Sequence, residues 1–319
     1  MTALVAALGL VALATPALAD GSIGSARPRV LGVHPGVVRG RGGGPIVIVG
    51  SGFSPGVAIT VGGAHAKVVA VRNARTVIAI APAGIGTEVV RAVTSGGTSA
   101  SNGRSVLHFA TRVLVVGDSL AIDLGWGFTP QLDAREGISV VDDAVQSSGL
   151  VRTDYYDWPA HLRADIAAVH PDVVETLFGT NDEQAITTGR SVAEPDTPAW
   201  DRAYAARVRQ IAARVREAGA TLAWVSLPRM GPQSVLGQPY VSNLVTLDRN
   251  ALAAARRAAF VDAWLLFTTP AGAYTPYVEL APHVWALGHD SDGTHLTPEG
   301  AAVVDVRTLV ALQNVLTHR

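Results

Sequence analysis

Four short, mostly apolar runs in the later part of the chain constrain its fold more than any other feature. They lie at 113–116, 172–178, 221–227 and 259–261, and segments with helical periodicity separate them. A strand with apolar side chains on both faces is typical of a parallel sheet that is covered by helices. The alternation of strands and helices therefore predicts an α/β domain over residues 111–319. We expect a doubly wound, mostly parallel sheet with helices on both faces.

The helices of this region have recognisable start and stop residues. Thr197 and Pro198 fit the N-cap and first turn of a helix that Gly219 closes. The residues around 244–255 form a second apolar helical pattern, and a last helix is expected to open at Thr297 and Pro298. Polar residues follow directly after two of the apolar runs. In a doubly wound sheet this is the edge where ligands bind.

The preceding region, 29–110, has a different sequence pattern, without helical periodicity. Runs rich in Val, Ile and Thr recur at roughly 10-residue spacing, which favours a β-sandwich. The predicted strands are 45–49, 57–61, 67–71, 76–80 and 89–93. Turn sequences such as Gly50-Ser51-Gly52 separate them.

Several glycine-containing motifs in this region carry a family resemblance. They are Val33-His34-Pro35-Gly36, the stretch 42–53, Val61-Gly62-Gly63 and Gly96-Gly97. With these motifs the region resembles an IPT/TIG domain, an immunoglobulin-like module. The resemblance implies a small all-β sandwich that acts as a spacer or contacts a cell-surface glycan or protein, and it implies no catalysis.

Composition excludes several functions. The chain has 319 residues, a formal net charge of −1 and no cysteine. Without a basic field the chain is not expected to bind nucleic acid. Without cysteine it has no disulfide, thiolate metal site or cysteine nucleophile. Any nucleophile must therefore be based on oxygen or nitrogen.

The first residues have the pattern of an export signal. Residues 1–19 are almost wholly apolar and end in Ala17-Leu18-Ala19, which fits a signal-peptidase site. No Lys or Arg precedes the apolar run, and an uncleaved N-terminal anchor is the alternative. We predict a signal peptide at 1–19, a linker at 20–28 and an exported protein without a transmembrane segment after signal removal.

Three separated motifs carry groups suited to catalysis. Gly117-Asp118-Ser119-Leu120 follows the first apolar run, and a serine there points outward where a helix begins. Gly179-Thr180-Asn181-Asp182 follows the second run and provides an amide donor for an oxyanion. In Asp292-Gly293-Thr294-His295 the carboxylate is able to fold back onto the imidazole, which leaves the other ring nitrogen free as a base.

Together, in this chain order, the three motifs resemble those of the SGNH hydrolases, also called the GDSL esterase/lipase family. The resemblance covers about residues 112–319 and implies that Ser119 is the nucleophile, His295 the base and Asp292 the residue that orients His295. It also implies an oxyanion hole built from the N–H of Ser119, the N–H of a glycine and the side chain of Asn181. The glycine is expected to be Gly149, with Gly137 as the competing assignment.

Other residues have two interpretations. Trp126 and Trp158 are expected either to line the acyl or sugar pocket or to belong to the core. His283, His289 and Asp290 could join the Asp292 motif in a metal cluster, but the family implies no metal and no other cofactor. Asp118 and Asp182 are expected to hold their own turns through side-chain-to-backbone bonds.

The sequence thus predicts an exported serine esterase that hydrolyses an acyl ester. The acyl group is expected to be O-acetyl or another short acyl group, carried by a glycan or by another small ester substrate. One alternative is a glycan O-acyltransferase that uses the same residues. The other is a non-catalytic surface-binding protein on a hydrolase fold.

Overall fold

The structure is a computed structural model that describes residues 26–131 and 137–317, without the side chains of 126–131 and 317. The predicted signal peptide and most of the predicted linker lie outside the described residues. No helix in the described part of the chain is long and apolar enough to cross a bilayer.

An all-β unit forms the first part. Its strands are β1 (Arg29–His34), β2 (Val37–Arg39), β3 (Pro45–Ser51), β4 (Ala58–Val61), β5 (Ala64–Asn73), β6 (Thr76–Ile80), β7 (Gly86–Thr94) and β8 (Gly97–Thr98). Burial alternates along them, as in β3, because one face of each strand points to a core that includes Ile46, Ile48 and Phe109. The five predicted strands overlap β3 to β7, so the predicted Ig-like sandwich is confirmed.

The next strand belongs to both parts of the molecule. β9 (Val106–Gly117) pairs through residues 106–109 with antiparallel β7 and through 108–110 with parallel β2. Its second half pairs with the strands of the α/β sheet. The predicted domain boundary at 110/111 therefore falls inside one continuous strand, without an intervening linker.

The second part is the predicted doubly wound sheet. Its further parallel strands are β10 (Ile138–Asp142), β11 (Val173–Leu177), β14 (Thr221–Val225) and β15 (Ala258–Val261). Two small antiparallel hairpins lie outside this sheet, namely β12 (Ile186–Thr188) with β13 (Ser191–Ala193) and β16 (Tyr277–Ala281) with β17 (Val284–Leu287). The spatial order is β10-β9-β11-β14-β15. The order therefore reverses between β9 and β11, which makes the carboxyl ends of these two strands the expected ligand site.

Helices cover both faces of this sheet. They are α1 (Ser119–Gln131), α2 (Trp158–Val169), α3 (Pro198–Glu217), α4 (Gln238–Leu252), α5 (Ala263–Leu266) and α6 (Pro298–Thr317). Helix α1 packs on α6, whereas α3 packs on both α2 and α4. The predicted caps are confirmed, since the Thr197 hydroxyl accepts the N–H of Trp200 at 3.3 Å and Gly219 has a φ of 75°.

The two parts are also joined by an ion pair. Arg41 of the β unit contacts Asp172 at 3.1 Å and donates to the carbonyl of Pro171 at 2.7 Å. The other carboxylate oxygen of Asp172 accepts the N–H of Arg112 in β9 at 3.0 Å. Asp172 thus connects the β unit, the shared strand and the start of β11.

Candidate active site

Ser119 is located at the end of β9, where the chain turns sharply into α1. The turn requires glycine at position 117, because its φ is +149° and a Cβ there would lie 2.0 Å from the carbonyl oxygen of Leu177. The serine is therefore the first residue of a helix whose free N–H groups favour negative charge.

The side chains of Ser119, His295 and Asp292 form a continuous hydrogen-bonded chain. The Oγ of Ser119 lies 3.0 Å from Nε2 of His295, and Nδ1 of His295 lies 2.6 Å from Oδ2 of Asp292. The other carboxylate oxygen of Asp292 accepts the N–H groups of Thr294 at 2.8 Å and His295 at 2.9 Å. The structure thus brings together three residues whose most distant members are 176 positions apart in the chain.

The charges around His295 favour its protonated form. Burial lowers the pKa of His295, but the Asp292 hydrogen bond and the negative charges of Asp123 and Asp292 outweigh this effect and leave the pKa raised. Burial has the opposite effect on Asp292 and raises its pKa. The hydrogen bonds from His295 and from two backbone N–H groups outweigh burial and leave the pKa of Asp292 lowered. The pair is suited to hold a proton on the imidazole next to an ionised carboxylate.

Asp118 connects the first motif to the second. Its carboxylate is fully buried and accepts the N–H of Leu120 at 3.1 Å. It also accepts the N–H of Thr180 at 3.0 Å and the Thr180 hydroxyl at 2.7 Å. Burial raises the pKa of Asp118 to about 6 in spite of these bonds. The bond from Leu120 agrees with the expectation that Asp118 holds its own turn, and the bonds from Thr180 in addition join the strand ends of β9 and β11.

Asn181 is located beside the loop that follows β10. Its Nδ2 donates to the carbonyl of Ser148 at 2.9 Å and to the hydroxyl of Thr180 at 3.0 Å. Asp182 accepts the N–H groups of Leu150 at 3.2 Å and Val151 at 2.8 Å. The expectation that Asp182 holds its own turn is therefore corrected, since its carboxylate holds the 148–151 loop from the neighbouring segment.

Gly149 lies in this loop, directly after the carbonyl that Asn181 binds. A Cβ at this position would lie 2.2 Å from Oδ1 of Asp182, so the close approach of the Asp182 carboxylate requires glycine. Within the described residues its N–H has no hydrogen-bond acceptor. The competing Gly137 precedes β10 and accepts the N–H of Thr111, which places it at the opposite end of the sheet from Ser119.

Of the two predicted pocket tryptophans, the structure describes the side chain of Trp158 alone, and this ring does not line the site. Trp158 has no exposed surface, donates from Nε1 to the Ser148 hydroxyl at 3.0 Å and packs edge-on against Phe178. This corrects the substrate-binding interpretation of Trp158, because a fully buried ring cannot touch substrate. The side chain of Trp126 lies outside the described residues.

Asp123 is a site residue that the motif analysis missed. It lies one helical turn after Ser119 on α1, is 7% exposed, and accepts the N–H of Leu296 at 2.9 Å. Burial raises the pKa of Asp123 to about 6, although the Leu296 bond and the His295 charge oppose this rise. The i, i+4 spacing from Ser119 was the available signal, because such residues share one helix face.

The two histidines near the Asp292 motif, His283 and His289, lie in different surroundings. His289 is buried against Phe267, and burial lowers its pKa to about 4. The His283 N–H donates to Glu279 at the tip of the β16–β17 hairpin. In the described ranges no group of three or more His, Asp or Glu side chains is arranged to hold a metal ion.

Comparison with known proteins places the site within a matched region. Residues 112–310 match the family described as "Protein of unknown function (DUF459)", and residues 28–108 match the IPT/TIG domain. A search of curated proteins found no match.

Several solved structures share low identity with the chain. A GDSL-like lipase from Bacteroides thetaiotaomicron is 17% identical, with 65% of this chain and 90% of that chain covered and a TM-score of 0.45. An acetylxylan esterase from Geobacillus stearothermophilus is 15% identical, with 64% and 95% covered and a TM-score of 0.44. The esterase EstA from Pseudoalteromonas sp. is 12% identical, with 64% and 97% covered and a TM-score of 0.43.

Proposed function

The chain belongs to the DUF459 family, and from the geometry of its site we propose that it is a serine hydrolase that cleaves acyl esters through a covalent intermediate on Ser119. The observation that carries the proposal is the hydrogen-bonded chain from Ser119 through His295 to Asp292, with distances of 3.0 and 2.6 Å. A hydroxyl next to a base that a third group orients is the arrangement that activates a serine.

In the proposed acylation step, Oγ of Ser119 attacks the ester carbonyl carbon while Nε2 of His295 takes the hydroxyl proton. The tetrahedral intermediate then collapses, the bond to the alkoxy oxygen breaks, and His295 gives its proton to the leaving alcohol. In deacylation His295 removes a proton from water, the resulting hydroxide attacks the acyl carbon, and Ser119 recovers its proton.

The proposed oxyanion hole consists of the N–H groups of Ser119 and Gly149 and the amide of Asn181. Fixed donors that point to the developing negative charge are among the largest contributions to such a reaction. The Asn181 amide is held in place by a hydrogen bond, which its Nδ2 donates to the carbonyl of Ser148. Both amide hydrogens have protein acceptors in the structure, so the Asn181 side chain would rotate away from the Thr180 hydroxyl in order to donate to the oxyanion.

We further propose that the substrate is a short acyl ester, such as O-acetyl, on a glycan, and that the enzyme acts after export. This part rests on the signal-like pattern of residues 1–19 and on the IPT/TIG domain that precedes the site. The IPT/TIG domain would bring the enzyme to a surface glycan or protein. Its sharing of β9 with the α/β sheet means that a surface held by one part orients the other.

The test is labelling with a fluorophosphonate probe together with hydrolysis of p-nitrophenyl esters of increasing chain length. We expect the folded protein to be labelled at Ser119 and to prefer acetyl over long acyl esters. Ser119→Ala should abolish labelling and lower turnover by about 10⁴ to 10⁶. Ser242→Ala, at an exposed serine on α4, is the matched control and should keep both.

Two results would contradict the proposal. A wild-type protein that remains unlabelled in its folded form would favour the non-catalytic surface-binding function. An acylated oligosaccharide formed from an acyl donor in the presence of free sugar would show that a glycan hydroxyl, rather than water, is the acceptor.

A further inference from the structure

A cleft between α2 and α3 lies outside the proposed active site. It has a volume of about 440 Å³, which is within the usual range of small-molecule sites. Arg163 of α2 and Arg207 and Arg214 of α3 line it together with Gln210, and we call it the arginine cleft. The lining also includes the apolar residues Pro159 and Ala160 at the start of α2, with the buried Leu150 behind them.

The cations of the arginine cleft converge because of helical spacing. Arg207, Gln210 and Arg214 are separated by three and four positions, so they share one face of α3. Arg163 faces them from α2. Among the described lining residues Asp157 is the only acidic one, and its carboxylate caps α2 by accepting the N–H of Ala160 at 3.2 Å. The lining therefore carries three positive charges and one negative charge.

These guanidinium groups have few partners of their own. Within the described residues neither Arg163 nor Arg207 has an ion pair, and Arg214 has only a 3.7 Å contact with the exposed Glu217. An exposed pair of this kind contributes little. Burial lowers the pKa of Arg207, although the charges of Asp182 and Asp157 oppose the effect. The cleft thus has spare donors and a shortage of negative charge.

Arg207 is also held in place before any ligand arrives. Its Nη1 donates to the carbonyl of Leu150, whose N–H is bound in turn by the buried Asp182. A guanidinium that is fixed at one nitrogen has fewer conformations to lose when a ligand binds to its remaining N–H groups, and this reduces the entropy lost on binding.

We propose that the arginine cleft binds the phosphate group of a small phosphorylated molecule, such as a sugar phosphate. Guanidinium groups bind phosphate oxygens in pairs, and a phosphate monoester carries up to two negative charges against the three arginines. The volume exceeds that of a phosphate group alone, and Pro159 and Ala160 are available to contact the organic part. This site is separate from the proposed catalysis and does not depend on it.

The test is isothermal titration calorimetry of the full chain at constant ionic strength with inorganic phosphate, glucose 6-phosphate, glucose and glucuronate. We expect saturable binding of both phosphates, tighter for glucose 6-phosphate, and no measurable binding of glucose. Arg163→Gln and Arg214→Gln should each weaken binding by about 10-fold. Arg202→Gln removes the same charge from an exposed position on α3 and should leave binding unchanged.

Thermal unfolding of each variant separates loss of binding from loss of fold. Three results would overturn the proposal: no binding of either phosphate to the wild-type protein, equal binding in a folded Arg163→Gln/Arg214→Gln double variant, or glucuronate binding as tight as that of glucose 6-phosphate. Because the readout is heat of binding, failure of this proposal would leave the proposed esterase activity untouched, and the reverse also holds.

Discussion

The carboxylate of Asp123 accepts the backbone N–H of Leu296 at 2.9 Å, and this bond joins the helix that carries Ser119 to the loop that carries His295. Asp123 lies one turn from Ser119 on α1, and Leu296 is the residue after His295. The same carboxylate raises the pKa of His295 through its charge. Asp123 thus acts on both the position and the charge of the proposed base, so we regard it as a positioning residue.

The two effects of Asp123 are separated by two substitutions. Asp123→Asn keeps an oxygen that accepts the Leu296 N–H but removes the negative charge. We therefore expect the acid limb of the pH profile of kcat/KM to move to lower pH and kcat to fall by about 10-fold. Asp123→Ala also releases the loop and should lower kcat further. Steady-state kinetics between pH 5 and 9 measure both effects.

Asp154→Asn, at an exposed carboxylate that pairs with Arg152, is the matched control and should leave the profile unchanged. An Asp123→Asn profile with the wild-type midpoint would show that the charge of Asp123 does not reach His295. Equal kcat values for Asp123→Asn and Asp123→Ala would show that the bond to Leu296 does not position the base.

The wild-type pH dependence follows from the raised pKa of His295. The imidazole accepts a proton from Ser119 only when it is neutral, so activity should fall as the pH drops through its pKa. Since that pKa is raised, we expect the midpoint of the acid limb in kcat/KM to lie above 6.5. Asp292→Asn should lower this midpoint, because the substitution removes a negative charge from the imidazole. An acid limb centred below 6.5 in the wild-type enzyme would contradict this prediction.

Asn181 should contribute to the transition state more than to substrate binding. Asn181→Ala removes a donor from the proposed oxyanion hole, and we expect kcat to fall by about 10² to 10³ with a small change in KM. The substitution also removes the bond to the Ser148 carbonyl, so thermal unfolding has to accompany the kinetics. A folded variant that raises KM and keeps kcat would assign Asn181 to ground-state binding instead.

Buried carboxyl groups should make stability depend on pH. Glu175 in β11 is fully buried near Asp305 and Thr308 of α6, and burial raises its pKa to about 8 despite the Thr308 hydroxyl. Burial and the nearby Glu175 raise the pKa of Asp305 as well. Glu175 therefore stays protonated in the folded chain while it ionises near pH 4.5 in the unfolded chain. Its contribution to stability is complete below about pH 4.5 and is lost as the pH rises towards 8.

Glu175→Gln removes this titration while it keeps the size of the side chain. The free energy of unfolding is measured by urea titration from pH 5 to pH 8. We expect it to fall less steeply with pH in the variant than in the wild type, and the two slopes should differ by up to about 1.4 kcal/mol per pH unit. The variant should be more stable than the wild type at pH 8. Glu217→Gln, at an exposed position on α3, should keep the wild-type slope. Parallel curves for the wild type and Glu175→Gln would contradict the assignment.

Features that depend on neighbouring residues were predictable from the sequence, whereas features that depend on distant residues were not. The apolar runs predicted the strands of the α/β sheet, and the Thr197 and Gly219 signals predicted the ends of α3, because both depend on residues that are close in the chain. Trp158 was ambiguous, since an aromatic side chain has the same appearance in a core as in a pocket. Only its complete burial and its bond to Ser148 resolved the question.

The residues that support the site could not be assigned from the sequence. Asp118 and Asp182 were each expected to serve their own turn, but Asp118 also binds Thr180, 62 positions away, and Asp182 binds Val151, 31 positions away. A carboxylate next to a turn satisfies its hydrogen bonds equally well with local or distant N–H groups. The choice depends on which strand ends become neighbours.

The sequence by itself determined the strand–helix alternation, the two kinds of domain and the three motifs, because periodicity and turn chemistry are properties of neighbouring residues. The tertiary structure alone decided that β9 serves both parts, that Asp123 binds Leu296 and that Gly149 lies against Asp182. The contact between Gly149 and Asp182 arises because the order of the sheet reverses between β9 and β11. That reversal brings distant strand ends together in a space where each buried polar group must find a partner.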